Sequence, residues 1–471
     1  MKTYNLFREQ VLENKTTCEQ EVSNVLARIE DKKDLNAFLE TNKNVLEQAV
    51  ESDKRFKAGN PRRLEGMLVA VKDNIAVKGM KLTAASHMLD NFHSITDAAL
   101  IEKIKQEGGI IIGKTNMDEF AMGSSNETSY FGAVKNPINT DYVPGGSSGG
   151  SAVAVAAELA HTALGTDTGG SIRQPAALCG TVGFKPTYGR ISRSGVIAFA
   201  SSLDQVGTFS HNIEDTSLLF DVISGRDDAD QTTADLEPAD TYKNLKDFNF
   251  ENVRVGVLDD KILSQCSCST DILNVYNKIL NDLKDKGAVV ETIKFLDSEY
   301  WVPTYIVLTT VESSANLARY DGIRYGHHTD KVIDGEDYVA LNRGEGFGAE
   351  VQRRLLAGTY FLVSDADNKY YTKAQQIRQI VKDCYIEAFK KVDFMFLPTT
   401  ASTAFKFNEK QEDQVKMYLS DLFTTSANLA GIPAISIPAG CDSNGLPIGM
   451  QLQTGSFQEE KLFNFAKALL K

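Results

Sequence analysis

Pro144-Gly-Gly-Ser-Ser-Gly-Gly-Ser151 and, after a short helical stretch, Gly165-Thr-Asp-Thr-Gly-Gly-Ser-Ile-Arg173 are the segments on which the reading of this 471-residue chain turns. Glycine takes left-handed and strained conformations at little steric cost, so such loops let backbone approach a ligand closely. Their serines can be presented beside bare N–H groups, which is the geometry of an oxyanion hole. A flexible Gly/Ser linker is the competing reading of the first segment. Against it, Ser151-Ala-Val-Ala-Val-Ala-Ala-Glu-Leu-Ala160 follows at once with a helical pattern. A glycine loop feeding a helix N-terminus gathers unpaired N–H groups and positive dipole at one place. The second segment follows Ala163-Leu-Gly-Thr166, so a tight turn closes a predicted strand.

Outward from these loops, strand and helix signals alternate. Met67-Leu-Val-Ala-Val-Lys-Asp-Asn-Ile75 is a short apolar run rich in β-branched residues, Ala98 to Gln106 reads as a helix, and Gly109-Ile-Ile-Ile-Gly113 as a second strand. Such alternation favours an α/β core over a sandwich. Further strands are predicted at Val253–Leu258, Val392–Leu397, Ala434–Pro438 and Ile448–Leu452, with a helix at Asp271–Lys286 and a helix-rich block from Tyr305 to Phe389. Leu12, Val22, Val25, Leu26, Ile29, Leu35, Phe38 and Leu39 recur at helical spacing and predict an N-terminal helical pair within residues 1–60. Asp227 to Glu251 is acidic, polar and aperiodic, a surface excursion. With no internal repeat and no clean linker, the expectation is one domain over residues 1–471, the helical segment 1–60 packed on it.

Composition narrows the function classes. Hydrophobic residues at 42% and charged residues at 24% are ordinary for a soluble globular chain with a large core. A net charge of −13 argues against gripping nucleic acid over a broad basic face, though not against working beside a basic partner that does. No run approaches the roughly 20 apolar residues of a membrane span, and the N-terminus lacks a signal-peptide core. Six scattered cysteines fit a reducing, cytoplasmic setting. Cys266-Ser-Cys268 lacks the second ligand pair a zinc site needs, so no metal is expected. Gly108-Gly-Ile-Ile-Ile-Gly-Lys-Thr115 satisfies the P-loop expression literally, but three successive isoleucines favour a buried strand over a loop curling around phosphate.

A serine nucleophile needs a base. His87, His93, His161, His211, His327 and His328 lie in no motif that marks one, although triads assemble in space rather than in sequence. The other candidate is a lysine made neutral by burial, which lowers its pKa by up to ~3–5 units. Lys72 interrupts the apolar run Leu68–Ile75 and is the strongest candidate. Its structural alternative is a buried salt bridge, to Asp73 or another acid.

Val71-Lys-Asp-Asn74, Gly145-Gly-Ser-Ser-Gly-Gly-Ser151 and Gly165-Thr-Asp-Thr-Gly-Gly-Ser-Ile-Arg-Gln-Pro175, in this order and at these distances, resemble the amidase-signature family. The resemblance continues through Gly183-Phe-Lys-Pro-Thr-Tyr-Gly-Arg190 and Ser201-Ser-Leu-Asp-Gln-Val-Gly207. It implies a single large α/β/α domain with a mixed central β-sheet flanked by helices. It also implies a Ser–cis-Ser–Lys triad: Ser171 as acyl-ester nucleophile, Ser147 as bridging serine after a cis Gly146–Ser147 peptide, and Lys72 as base. The backbone N–H groups of Thr168, Gly169, Gly170 and Ser171 would hold the oxyanion, with Ser148 supporting the network.

Within that family, four segments resemble the glutaminase subunits of tRNA-dependent amidotransferases: Gly113–Gly123, Tyr320–Gly326, Glu345–Leu355 and Asp421–Pro433. The implied substrate is glutamine, its carboxylate met by Arg354, its α-amino group by Asp421, with Tyr305 in support. Arg353 beside Arg354 could face the pocket instead, and Asp421 could be a helix N-cap. The resemblance further implies a heterotrimer with B and C subunits, no cofactor in this chain, ATP and Mg used by a partner, and mischarged tRNA bound mainly through the B subunit. Ser426-Ala427 stands where a proline-containing pair is more usual, and the tail after Phe463 is shorter than in many relatives. A stand-alone amidase acting on a small amide and an inactive scaffold are the alternatives.

Overall fold

The apolar runs pair into one 11-stranded sheet in the computed structural model, which describes residues 3–295, 298–331, 337–364, 369–410 and 414–470. The strands are β1 (Phe38–Thr41), β2 (Leu68–Lys72), β3 (Ile110–Thr115), β4 (Thr162–Asp167), β5 (Val182–Lys185) and β6 (Gln205–Ser210). They continue as β7 (Arg254–Leu258), β8 (Val289–Ile293), β9 (Phe394–Pro398), β10 (Ala434–Cys441) and β11 (Pro447–Gln453). Their order is β1-β3-β2-β4-β6-β5-β10-β11-β9-β7-β8. β2 runs parallel to β3 and β4, and β7 parallel to β8 and β9, while the remaining pairs are antiparallel, so the sheet is mixed.

Helices cover both faces. The first half of the chain contributes α1 (Tyr4–Leu12), α2 (Cys18–Asp31), α3 (Val45–Lys57), α4 (Ala99–Gln106), α5 (Gly149–Ala156), α6 (Arg173–Cys179) and α7 (Ile213–Ile223). The second half adds α8 (Asp260–Gln265), α9 (Thr270–Asp285), α10 (Trp301–Asn316), α11 (Tyr338–Gly346), α12 (Ala349–Val363) and α13 (Tyr371–Lys391). The last three are α14 (Gln414–Leu419), α15 (Leu422–Ala430) and α16 (Glu459–Leu469). Successive strand residues point to opposite faces, and β9 shows what each face meets. Phe394 and Phe396 join a core with Val153, Phe220 and Phe463, whereas Met395 and Leu397 join one with Trp301, Val351 and Tyr385.

Residues 1–60 depart from the predicted helical pair. Their described residues form three α-helices, a short 3₁₀ turn and the edge strand β1, in which Phe38, Glu40 and Thr41 pair antiparallel with β3, with a bulge at Leu39, rather than extending a helix. Asn36, at φ 54, turns the chain before the helical spacing can continue, and the open edge of β3 supplies the partner. The literal P-loop match is β3 itself, fully buried, and its Lys114 pairs with Asp73 at 3.1 Å. Asp227 to Glu251 carries no helix or strand; the Asp221 carboxylate anchors it by accepting the N–H groups of Thr241 and Tyr242 at 2.8 Å. β2, β3 and β4 end side by side, and ligands of α/β sheets gather beyond such carboxyl ends.

Candidate active site

Lys72 is the last residue of β2, a strand buried along its whole length. Its Nζ lies 2.8 Å from Ser147 Oγ, 2.7 Å from Ser148 Oγ and 3.0 Å from Thr166 Oγ1. Among the described residues no carboxylate is within ion-pair distance of it. Asp73 points to the opposite side of the strand, where it pairs with Lys114 and accepts from Thr83 N at 2.8 Å. The salt-bridge alternative for Lys72 is therefore not realised with Asp73. Burial pulls the Lys72 ammonium down to about 7, and the charges of Asp118, Asp167 and Asp204 only partly counter it. Near neutral pH this amine is poised to accept a proton, and three hydroxyls surround it.

The first glycine loop holds Ser147 from both sides. The Gly146–Ser147 peptide is cis. A Cβ on Gly146 would fall 2.0 Å from Asp118 Oδ2, so glycine alone fits there. Gly146 N–H donates to Gln174 Oε1 at 3.0 Å, and Asp118 N–H donates to Ser147 O at 3.1 Å. Ser148 N–H donates to Ser171 O at 3.2 Å, tying the two loops together, and Ser148 Oγ–H donates to Thr166 O at 3.1 Å. Among the described residues no hydroxyl-to-hydroxyl hydrogen bond links Ser147 to Ser171.

The second loop is shaped by Asp167, the last residue of β4. Its carboxylate accepts the N–H groups of Gly170 at 2.9 Å and Ile172 at 3.2 Å, and it pairs with buried Arg173 at 3.0 Å. Burial pushes this carboxyl up most strongly, but the charges of Arg173 and Lys185 and the hydrogen bonds of Arg173 and Asn428 together outweigh it and hold it at about 2. Arg173 also donates to Gln451 Oε1 at 2.6 Å and Thr424 O at 2.9 Å, so the loop is anchored to β11 and α15. Ser171 sits at the outer end, 7% exposed. The N–H groups of Thr168, Gly169 and Ser171 make no hydrogen bond among the described residues, whereas that of Gly170 is committed to Asp167. Thr168 Oγ1 donates to Asp204 Oδ1 at 2.7 Å, which fixes the start of the loop.

Three helices bring the remaining candidates over this loop. Tyr305 on α10 lies against Gly169, where a Cβ would meet its ring at 2.6 Å; burial raises its phenol, which stays protonated. Arg354 on α12 is buried, its Nε donating to Glu350 Oε1 at 2.7 Å and its guanidinium lying over Phe199 and Tyr418. Arg353 is nearly half exposed and pairs with the other oxygen of Glu350, so Arg354 is the inward arginine. Asp421 does stand at the N-cap of α15, yet its side chain caps nothing. Its Oδ2 accepts from Ser124 Oγ, while its buried Oδ1 has no hydrogen-bond partner among the described residues. Burial pushes Asp421 up to about 7, with Ser124 drawing it back down. An acid with one orphaned oxygen is an arrangement that a cationic ligand would complete.

A cavity of about 310 Å³ lies beside Arg354 and Ser124; Ser125, Glu350 and Arg353 also line it, while Lys72, Ser147, Ser171, Tyr305 and Asp421 are not in its wall. A second, mostly apolar cavity of about 550 Å³ lies along Val302, Ile306, Phe361 and Leu422, away from Lys72, Ser147 and Ser171. Sequence reasoning missed Thr166, Ser124, Asp118 and the Asp167–Arg173 pair. Thr166, Asp167 and Arg173 stand inside the quoted segment, and its only two charges, of opposite sign, were the available signal. Ser124 has no signal: its role exists only because Asp421, 297 positions away, folds onto it.

A family profile described as Amidase matches residues 20–463. The glutamyl-tRNA(Gln) amidotransferase A subunit of Chlorobium limicola is 44% identical over 100% of this chain and 99% of its own length. The same-named protein of Salinibacter ruber is 42% identical, with 97% of each chain covered. The crystal structure of the glutamyl-tRNA(Gln) amidotransferase A subunit from Thermotoga maritima superposes with a TM-score of 0.81 at 36% identity, over 99% of this chain and 94% of that one. The peptide amidase of Stenotrophomonas maltophilia does so at 0.83 and 27% identity, over 99% and 96%. With its profile matched nearly end to end and its relatives aligned over the full length, this chain belongs to the amidase family.

Proposed function

We propose that this chain is the glutaminase subunit of a tRNA-dependent amidotransferase. The observation that carries the reading is the Lys72 amine, buried without an ion pair among the described residues and set among the hydroxyls of Ser147, Ser148 and Thr166. Neutral Lys72 takes a proton from Ser147, which takes one from Ser171 as its Oγ attacks the glutamine carboxamide carbon. The N–H groups of Thr168, Gly169 and Ser171 are the oxyanion donors of this reading; losing one such donor typically raises the barrier by ~2.7–4 kcal/mol. The proton returns along the relay to the departing nitrogen, giving ammonia and an acyl-enzyme, and water then releases glutamate by the reverse relay. Arg354 meets the substrate carboxylate and Asp421, through its unpartnered Oδ1, the α-ammonium.

The relatives named as the A subunit of glutamyl-tRNA(Gln) amidotransferase support the wider setting. In it, ammonia from this chain serves the B and C subunits of a heterotrimer. ATP, Mg and the mischarged tRNA belong to those partners, and the complex works in the cytoplasm. Among the described residues no helix is long and apolar enough to cross a membrane. The test is transamidation: the chain with its partners, glutamine, ATP and Glu-tRNA(Gln) yields Gln-tRNA(Gln). No product, alongside steady hydrolysis of simple amides by the isolated chain, would establish a stand-alone amidase instead.

A further inference from the structure

Asp118 and Glu119 are consecutive buried acids that look in different directions. Asp118 lies under the first serine loop: its N–H donates to Ser147 O at 3.1 Å and its Oδ2 accepts Asn126 N–H at 2.9 Å. Glu119 reaches across 229 residues of sequence to the start of α12, where both its carboxylate oxygens accept the N–H of Gly348, at 2.9 and 3.1 Å. Gly348 is the N-cap of α12 and brings no side chain of its own to that task. A Cβ at Gly348 would meet Glu119 Oε2 at 2.3 Å, so a side chain there would push the carboxylate away from the N–H it accepts. Ser86 Oγ lies 2.5 Å from Glu119 Oε1 and 3.2 Å from Gly346 O, which pins the end of α11 to the same carboxylate. Phe120 and Ala121, at φ 49 and 61, turn the backbone sharply after the two acids.

Resting on the glutaminase reading, we infer that Glu119 is a positioning residue for substrate selection: it fixes the N-terminus of α12 and thereby the placement of Arg354 relative to the serine loop held by Asp118. The physical reason is leverage. A carboxylate at a helix N-terminus meets both the free N–H groups and the positive end of the dipole. Arg354 follows Gly348 by six residues on the same stiff helix, about 9 Å along its axis. A displacement of α12 at its start therefore shifts the guanidinium that selects the α-carboxylate, while leaving Lys72 and the serines where they are. Misplacement of a substrate-holding group by about 1 Å is enough to cost ~10²-fold in rate.

The test compares glutamine with 4-aminobutanamide, which is glutamine without its α-carboxylate, using the full chain purified with its partner subunits. Glu119→Ala is expected to raise KM for glutamine about 10-fold or more with kcat within about threefold, and to leave kcat/KM for 4-aminobutanamide unchanged. Glu119→Gln, which keeps a carbonyl oxygen for Gly348 N–H, is expected to restore most of the glutamine KM. Should the alanine variant not fold, Ser86→Ala removes the second hydrogen bond to the carboxylate and is expected to raise the glutamine KM selectively by a smaller factor. Equal losses on both amides, a fall in kcat with KM unchanged, or no effect on glutamine would each overturn the inference. Failure of the wild-type complex to hydrolyse glutamine would instead overturn the glutaminase reading beneath it.

Discussion

Replacing Lys72 by methionine removes the buried amine on which the proposed serine relay depends, and its effect on stability is as informative as its effect on rate. The amine titrates near 7 in the folded chain against 10.5 when exposed. Between those values the unfolded chain binds a proton that the folded chain does not, so stability rises with pH across this window. At 1.36 kcal/mol per unit, holding Lys72 in the core costs about 4 kcal/mol at pH 7 and about 2 kcal/mol at pH 9. Methionine of similar length removes that cost. It also strips a partner from Ser147, Ser148 and Thr166, which costs about 1–3 kcal/mol and does not vary with pH. Lys72→Met is therefore expected to be more stable than wild type at pH 7 by about 1–3 kcal/mol, with the gain shrinking by about 2 kcal/mol at pH 9. Urea midpoints of both proteins at the two pH values measure this, and glutamine hydrolysis is expected to fall about 10²–10⁴-fold. A stability gap equal at pH 7 and pH 9 would refute the reasoning, because it would mean that Lys72 keeps its proton in the folded core.

Other consequences are checked more directly. Ser171→Ala should abolish glutamine hydrolysis and the covalent adduct that an electrophilic glutamine analogue forms, read by intact mass; an adduct on the alanine variant would move the nucleophile elsewhere. Asp421→Asn loses a charge-assisted contact of about 1.5–3 kcal/mol and should raise the glutamine KM about 10- to 150-fold. Exposed Arg353→Ala should change it less than threefold, and a reversal of that order would make Arg353 the selecting arginine. The pH dependence has a definite sign: Lys72 acts when neutral and Asp421 when ionised, and burial sets both near 7, so kcat/KM for glutamine should climb from pH 6 to pH 8. A rate that is flat or falling over that range would contradict both assignments.

Much of the candidate site was legible because its logic is local. Lysine in the run Leu68–Ile75 is chemically out of place, and glycines around serines are legible as close backbone approach without any partner being known. The strands at Gly109–Gly113 and Val253–Leu258 announced themselves by β-branched runs, and both are strands of the sheet. Phe38 and Leu39 misled, since short half-buried strands share their spacing with helix faces and only the open edge of β3 decides between them. The Gly170 amide, grouped with its neighbours as an oxyanion donor, is instead taken up by Asp167, a commitment set by the curl of the loop.

The choices between equal candidates were tertiary throughout. Arg353 and Arg354 are indistinguishable as text; α12 rotates one toward solvent and the other onto Phe199 and Tyr418. Asp421 has the identity and the position of an N-cap, and it is its buried Oδ1, left without a partner among the described residues while Ser124 holds Oδ2, that leaves it free for another task. Residue type and spacing along the chain determined which groups could do acid–base and nucleophilic chemistry, because that capacity resides in the side chains themselves. Which of them are desolvated, paired or left with an unmet valence depends on segments hundreds of residues apart meeting in space, and only the folded sheet with its helices decided that.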